Sequence, residues 1–174
     1  MPERYRSDLA SARTIERVGR VVRSAARRVS GADGATFVLR DGDLCFYADE
    51  DAIAPLWKGQ RFPMTECISG WAMLHHASVA IPNIELDHRI PLAAYRPTFV
   101  RSLVMVPIGR GEPVGAIGAY WAANGRASAA ALAALDKLAA SAADAIGRIG
   151  LDDAPWAPSF RVPGGSVRPV LQRD

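Results

Sequence analysis

Apolar positions fall into two long helical stripes, one near each end of the chain, with two strand pairs and a mixed middle segment between them. From Leu9 to Val29, residues Ile15, Val18, Val22, Ala25 and Val29 recur at spacings of three and four with arginines between, which predicts one amphipathic helix. Ser30-Gly31-Ala32-Asp33-Gly34 ends it, Gly31 suiting the left-handed position after a helix. Ala35–Arg40 and Asp43–Ala48 predict a strand pair, joined by Asp41-Gly42 as a two-residue turn with positive φ at both centres. Ala52–Lys58 predicts a short helix carrying Trp57, closed by Gly59. Thr65 is the expected N-cap of a helix over Glu66–His76 whose main face carries Ile68, Trp71, Ala72 and His75. Ser78–Pro82 reads as a short strand, and Ile84–Tyr95 as irregular with one helical turn near Leu92. Arg101–Ile108 is a buried-strand pattern. Its partner, Pro113–Ala122, is rich in small residues (Gly115, Ala116, Gly118, Ala119), which mark close approach by another backbone or a ligand. Ser128 caps a final helix to Ile149, with a stripe of Leu132, Leu135, Ala139, Ala142, Ile146 and Ile149.

The order helix, hairpin, insert, hairpin, helix implies an α+β fold: a largely antiparallel sheet with the terminal helices on one face. The segment Met64–Pro107 would cover the other face and close a cavity there. Residues 1–8 are polar and expected to be flexible, 9–150 form one domain, and 151–174 form a Pro/Gly-rich tail expected to be disordered or extended. At 174 residues, with 49% hydrophobic and 22% charged positions, the chain can bury a real core, and no stretch has the length of apolar residues a membrane span needs. No apolar signal segment follows Met1, and Cys45 and Cys67 make no disulfide framework, so a cytoplasmic location is expected. The net charge of +3 comes from arginines concentrated before Ser30; no nucleic-acid motif accompanies them, and they read as a solvated helix face.

Cys67-Ile68-Ser69-Gly70-Trp71-Ala72-Met73, Tyr95-Arg96-Pro97-Thr98-Phe99-Val100, the strand Ser102-Leu103-Val104-Met105-Val106-Pro107-Ile108 and the stretch Pro113-Val114-Gly115-Ala116-Ile117-Gly118 together resemble the GAF domain family, relatives of PAS domains. The resemblance runs from about Ile15 to Ile149 and is greatest to the GAF domains at the front of bacterial sensor histidine kinases. It implies a central antiparallel sheet, a pocket beneath the insert and dimerisation through the terminal helices. Family ligands include cyclic nucleotides, bilins, haem, small anions and metabolites. The chain has neither the phospho-accepting histidine segment nor the nucleotide-binding region of a sensor kinase after Ile149. Its output would therefore pass through its own dimer or through a partner, a histidine kinase or another signalling protein.

The candidate ligand-binding residues are Trp57, Cys67, Ile68, Trp71, His75, Tyr95, Phe99, Arg101 and Tyr120. The helix start near Thr65–Ile68 offers free N–H groups to a small anion or the carboxylate or phosphate of a metabolite, with Arg89, Arg96 and Arg101 nearby in sequence. The aromatic residues would supply stacking walls, or would fill the space and leave a purely structural dimerisation or adaptor module. Cys67 sits where a helix dipole favours a thiolate, while Glu66 opposes it. The cysteine spacing does not match the family's free methionine sulfoxide reductases, and Cys67-Ile68 does not match its bilin carriers. The adjacent His75-His76 cannot form a helical metal pair. The reading is therefore a small-molecule sensor without catalytic residues, metal or required cofactor; haem, bilin and a cysteine-dependent reductase are the disfavoured alternatives.

Overall fold

Alternation along the central strands sends successive side chains to two different buried faces, and the whole fold follows from covering both. The protein is described by a computed structural model, and the described residues are 4–151. Its helices are α1 (Arg4–Ser11), α2 (Ile15–Ser30), α3 (Ile68–His75), α4 (Leu92–Tyr95) and α5 (Ala129–Ile149). Its strands are β1 (Gly34–Asp41), β2 (Leu44–Ala52), β3 (Arg61–Pro63), β4 (Val79–Ile81), β5 (Ser102–Ile108) and β6 (Gly115–Trp121). They form one sheet in the order β3-β2-β1-β6-β5-β4, with every neighbouring pair antiparallel. The α+β architecture read from the pattern is the observed one.

On one face, Phe37, Leu39, Val104, Val106, Ile117 and Ala119 pack under α1, α2 and α5. On the other, Val38, Cys45, Tyr47, Leu103, Met105 and Tyr120 pack under the insert. A bulge in the β1–β2 ladder separates the pairs Phe37–Asp49 and Val38–Tyr47, leaving Ala48 as the extra residue. The bulge resets the alternation. Cys45 and Tyr47 face the insert, and Asp49 faces α2, where Arg23 Nη1 donates to its carboxylate at 3.1 Å. Glu50 then holds the following loop, accepting from the backbone N–H of Leu56 at 2.8 Å and of Lys58 at 3.1 Å.

Several local expectations need correction. The helix expected over Leu9–Val29 is two helices that break at Ala12–Thr14, because Thr14 caps α2 by accepting from Arg17 N–H. Residues 4–8, expected to be flexible, belong to α1: Tyr5 and Leu9 are buried, and Arg148 of α5 donates to the carbonyls of Leu9 and Ala12 at 3.0 and 2.6 Å. Ala52–Lys58 is not a helix; β2 continues to Ala52 and the Glu50-held loop carries Trp57. The hairpin turn is centred on Gly42-Asp43, and only Gly42 takes positive φ, at 60°. Thr65 does not cap α3. It lies in a separate 3₁₀ turn, Met64–Glu66, and Cys67 occupies the cap position. The tail expected over 151–174 lies, beyond Leu151, outside the described residues, as do residues 1–3.

Candidate functional site

The insert-side core joins side chains from the hairpin, α3, α4 and β6. Of the residues singled out by sequence, Trp57, Cys67, Ile68, Tyr95 and Tyr120 are buried in it together, and Trp71 and Phe99 pack against its margin. Trp57 is the hub. Its ring centroid lies 4.7 Å from that of Tyr95, 5.5 Å from Tyr120 and 5.6 Å from Tyr47, all edge-on, and its indole N–H donates to the Ala94 carbonyl at 3.1 Å. Tyr47 meets Phe62 edge-on at 5.3 Å.

Two expected members lie elsewhere. His75 is exposed, stacked on the outer side of Trp71 at 4.3 Å, with its Nδ1 2.9 Å from the Trp71 carbonyl oxygen. The inward face of α3 is Ile68, Ser69, Ala72 and Met73; Ile68 and Ala72 lie on the face assigned by sequence, while Trp71 is half-buried and His75 exposed. Arg101 is exposed just before β5, and Arg96 is exposed as well. Arg89 lies over Trp71 and donates to Asp87 at 2.6 Å, holding that carboxyl below its ordinary range. These arginines thus give the core no positive charge.

The polar content of this core is the part that sequence reasoning missed. Cys45, Tyr47, Ser69 and Thr36 are all buried on the insert side or at its sheet floor. Tyr47 Oη lies 3.1 Å from Ser69 Oγ, and Ser69 Oγ lies 3.3 Å from Cys67 Sγ. Thr36 Oγ1 and Tyr120 Oη pair at 2.9 Å, in the space left by Gly118, where a Cβ would overlap both oxygens. The two-residue alternation Cys45-Phe46-Tyr47 was the available signal, since it puts thiol and phenol on one strand face.

Charge is distributed unevenly between the two thiols. Cys45 donates a hydrogen bond to Cys67, which lowers the Cys67 pKa; burial works against this, and bonds from Ser69 and the Gly70 N–H add to it. The same bond, with burial, pushes Cys45 far up, so Cys45 keeps its proton while Cys67 is the sulfur that ionises. When protonated, Cys67 donates to the Pro63 carbonyl at 3.4 Å. Cys67 thus occupies the N-cap position of α3 without a side-chain capping bond, and its sulfur lies beside the helix start where an anion was expected from the sequence. Burial also raises the phenols of Tyr47, Tyr95 and Tyr120, which stay neutral.

A separate groove of about 750 Å³ lies on the helix side of the sheet, along α5, lined by Val106, Val114, Ala139, Ala143, Gly147 and Leu151 among others. Among the described residues, no group of three His, Cys, Asp or Glu side chains is placed to hold a metal ion, and no helix is long and apolar enough to cross a membrane.

Comparison with known proteins places this geometry in a familiar setting. A family model described as "GAF domain" matches residues 12–147. No curated protein matches the chain. Similar solved structures include the GAF domain of an Acinetobacter phosphoenolpyruvate-protein phosphotransferase, at 16% identity and TM-score 0.73, covering 84% of this chain and 90% of that one. Free methionine-R-sulfoxide reductase from Neisseria meningitidis, solved in complex with its substrate, is similar at 16% identity and TM-score 0.73, covering 85% and 87%. The GAF-B domain of DevS from Mycobacterium smegmatis is similar at 19% identity and TM-score 0.62, covering 75% and 91%. At these identities the likeness is one of fold.

Proposed function

The chain belongs to the GAF domain family, and from that premise we propose that it is a sensory module whose insert-side core takes up a small, uncharged ligand with hydrogen-bonding groups. One observation carries this reading. A core built only for stability would be apolar throughout, because each buried polar head costs free energy unless it is paired. Here the phenols of Tyr47, Tyr95 and Tyr120, the hydroxyls of Thr36 and Ser69 and the thiols of Cys45 and Cys67 are buried in or bordering one aromatic core. These groups can exchange partners with a guest. The small anion expected from the sequence has less to support it, since Arg96 and Arg101 are exposed and Arg89 is paired with Asp87.

Entry of a guest requires the Trp57 loop and α4 to part, because the indole–Ala94 bond and the Trp57–Tyr95 contact join them. Such a movement reaches β2 through Glu50 and α2 through Arg23, which donates to the Glu50 carbonyl at 2.8 Å. The signal then passes to a second copy or to a signalling protein such as a histidine kinase. A homodimer formed along the terminal helices would carry it, with the α5 groove as the surface, since Ala139, Ala143 and Gly147 admit close approach.

The test is a thermal-shift and calorimetric screen of neutral metabolites, anions, nucleotides, haem and bilins, with sedimentation run on each hit. A neutral compound that raises the melting temperature, and does so less in Tyr47→Phe, supports the reading. Stabilisation by anions alone, or no binding by any class, overturns it and leaves a structural dimerisation or adaptor module.

A second reading has its own observation. Cys67 carries the more acidic thiol of a neighbouring buried pair, and reductases of free methionine sulfoxide share the fold. Turnover of free methionine sulfoxide by the wild type, lost in Cys67→Ser, would establish a cysteine-dependent reductase. Absence of turnover with a thiol reductant present would dismiss it.

A further inference from the structure

We propose that Cys45 and Cys67 form a hydroperoxide-oxidisable pair that closes to an intramolecular disulfide, bonding strand β2 to the head of α3. This goes beyond the sensory reading and does not depend on it, since it requires no ligand.

The geometry comes from three independent placements. Cys45 lies on the insert face of β2, two residues before Tyr47. Tyr47 reaches Ser69 at 3.1 Å, and Ser69 reaches Cys67 at 3.3 Å, so the first turn of α3 lies directly over this part of the strand. Cys45 pairs with Phe62 of β3, and Cys67 contacts the carbonyl of the next residue, Pro63, at 3.4 Å. The strand thus leads from one cysteine to the other. Both thiols are free and buried in the same cluster, each is the largest influence on the other's ionisation, and closing the pair brings the two sulfurs to the ~2.05 Å of a disulfide bond.

Burial and chemistry set the order of events. Cys67 is 6% exposed, beside the exposed Thr65 and Glu66, while Cys45 is fully buried. Cys67 is also the sulfur that ionises first, and the thiolate is the reactive form. Its sulfur attacks the terminal oxygen of the hydroperoxide, the O–O bond breaks, and the alkoxide leaves and takes up a proton to become an alcohol. Cys67 is then a sulfenic acid. That step removes the charge from Cys67 and with it part of what held the proton on Cys45. The Cys45 sulfur attacks Cys67, its proton leaves with the displaced hydroxide as water, and the S–S bond forms. Two thiols have lost two electrons and two protons, and the hydroperoxide has been reduced to alcohol and water.

The full chain would be exposed to hydrogen peroxide under native conditions, then unfolded, titrated for thiols and weighed by mass spectrometry. Expected is the paired loss of both thiols, a mass lower by two hydrogens, a linked Cys45–Cys67 peptide on mapping, and recovery with a dithiol reductant. Cys45→Ser should stop at the sulfenic acid, trapped on Cys67 by a carbon nucleophile such as dimedone. Cys67→Ser should react at least about tenfold more slowly at its remaining thiol. The wild type carries the decision without reliance on any variant's folding: in the same peroxide, a sample unfolded in urea serves as the reference. Two intact thiols in the folded protein after the unfolded one has oxidised would overturn the proposal. Cross-linked chains in place of an internal bond, or Cys67→Ser reacting as fast as the wild type, would do the same.

Discussion

Gly70 shows how one residue sets the site. It lies in the first turn of α3, and a Cβ there would overlap the Met64 carbonyl, so α3 can sit this close to the preceding 3₁₀ turn only with glycine. That closeness brings the Gly70 N–H onto Cys67 and Ser69 beneath Tyr47. Gly70→Ala should cost roughly 1–3 kcal/mol by overpacking, read as a lower urea midpoint with an unchanged slope. It should also weaken thiolate formation at Cys67, read as slower alkylation at neutral pH. A variant as stable as wild type would mean that the helix start shifts freely. Gly70 was visible in the sequence as one glycine among many. Its requirement was not, because the clash is with backbone brought in by a turn whose position no periodicity reports.

At the scale of elements, the short N-terminal helix α1 illustrates how far packing can exceed pattern. Arg4–Ser11 carries two buried side chains and would not hold as an isolated helix. It is held by the burial of Leu9, 1% exposed, and by the two bonds from Arg148 across the chain. Leu9→Ala should therefore cost about 2–4 kcal/mol, and amides of α1 should lose hydrogen-exchange protection before those of α2. Unchanged stability would mean that α1 is not docked in solution. By contrast, α2, β5, β6 and α5 follow their apolar periodicity to within a few residues, and Ser128 caps α5 as read, accepting from Ala131 N–H at 3.0 Å. Long elements repeat their signal over several turns or alternations, whereas the loop around Trp57 depends on two bonds to a single distant carboxylate, Glu50.

Over the whole molecule, the two faces of the sheet differ in kind. The helix side is mostly aliphatic, with Tyr5, Phe37 and the half-buried Trp121 as aromatic members; the insert side collects most of the tyrosines and both thiols. Burial raises the phenols of Tyr47, Tyr95 and Tyr120 above their ordinary value, so the folded chain retains protons that the unfolded chain releases above about pH 10. The stability from these groups is complete below about pH 10 and declines as pH rises toward the folded values, by up to about 1.4 kcal/mol per pH unit for each tyrosine. Urea midpoints should fall steeply above about pH 10, with ionisation of Tyr47, Tyr95 and Tyr120 appearing only as the chain unfolds. Any of these three phenols titrating freely while the fold persists would contradict so closed a core.

The sequence alone determined the α+β class, the strand pairs, the terminal helices and the family, because periodicity and turn residues act locally and repeat along the chain. It also assembled much of the aromatic core, naming Trp57, Tyr95 and Tyr120. Tertiary structure decided which way α3 faces, turning His75 and Arg101 out of the expected site and bringing Cys45, Tyr47 and Ser69 into it. The reason is geometric: the way a short helix rolls onto the sheet, or one bulge in a strand, changes where a side chain points while leaving the residue pattern almost unaltered.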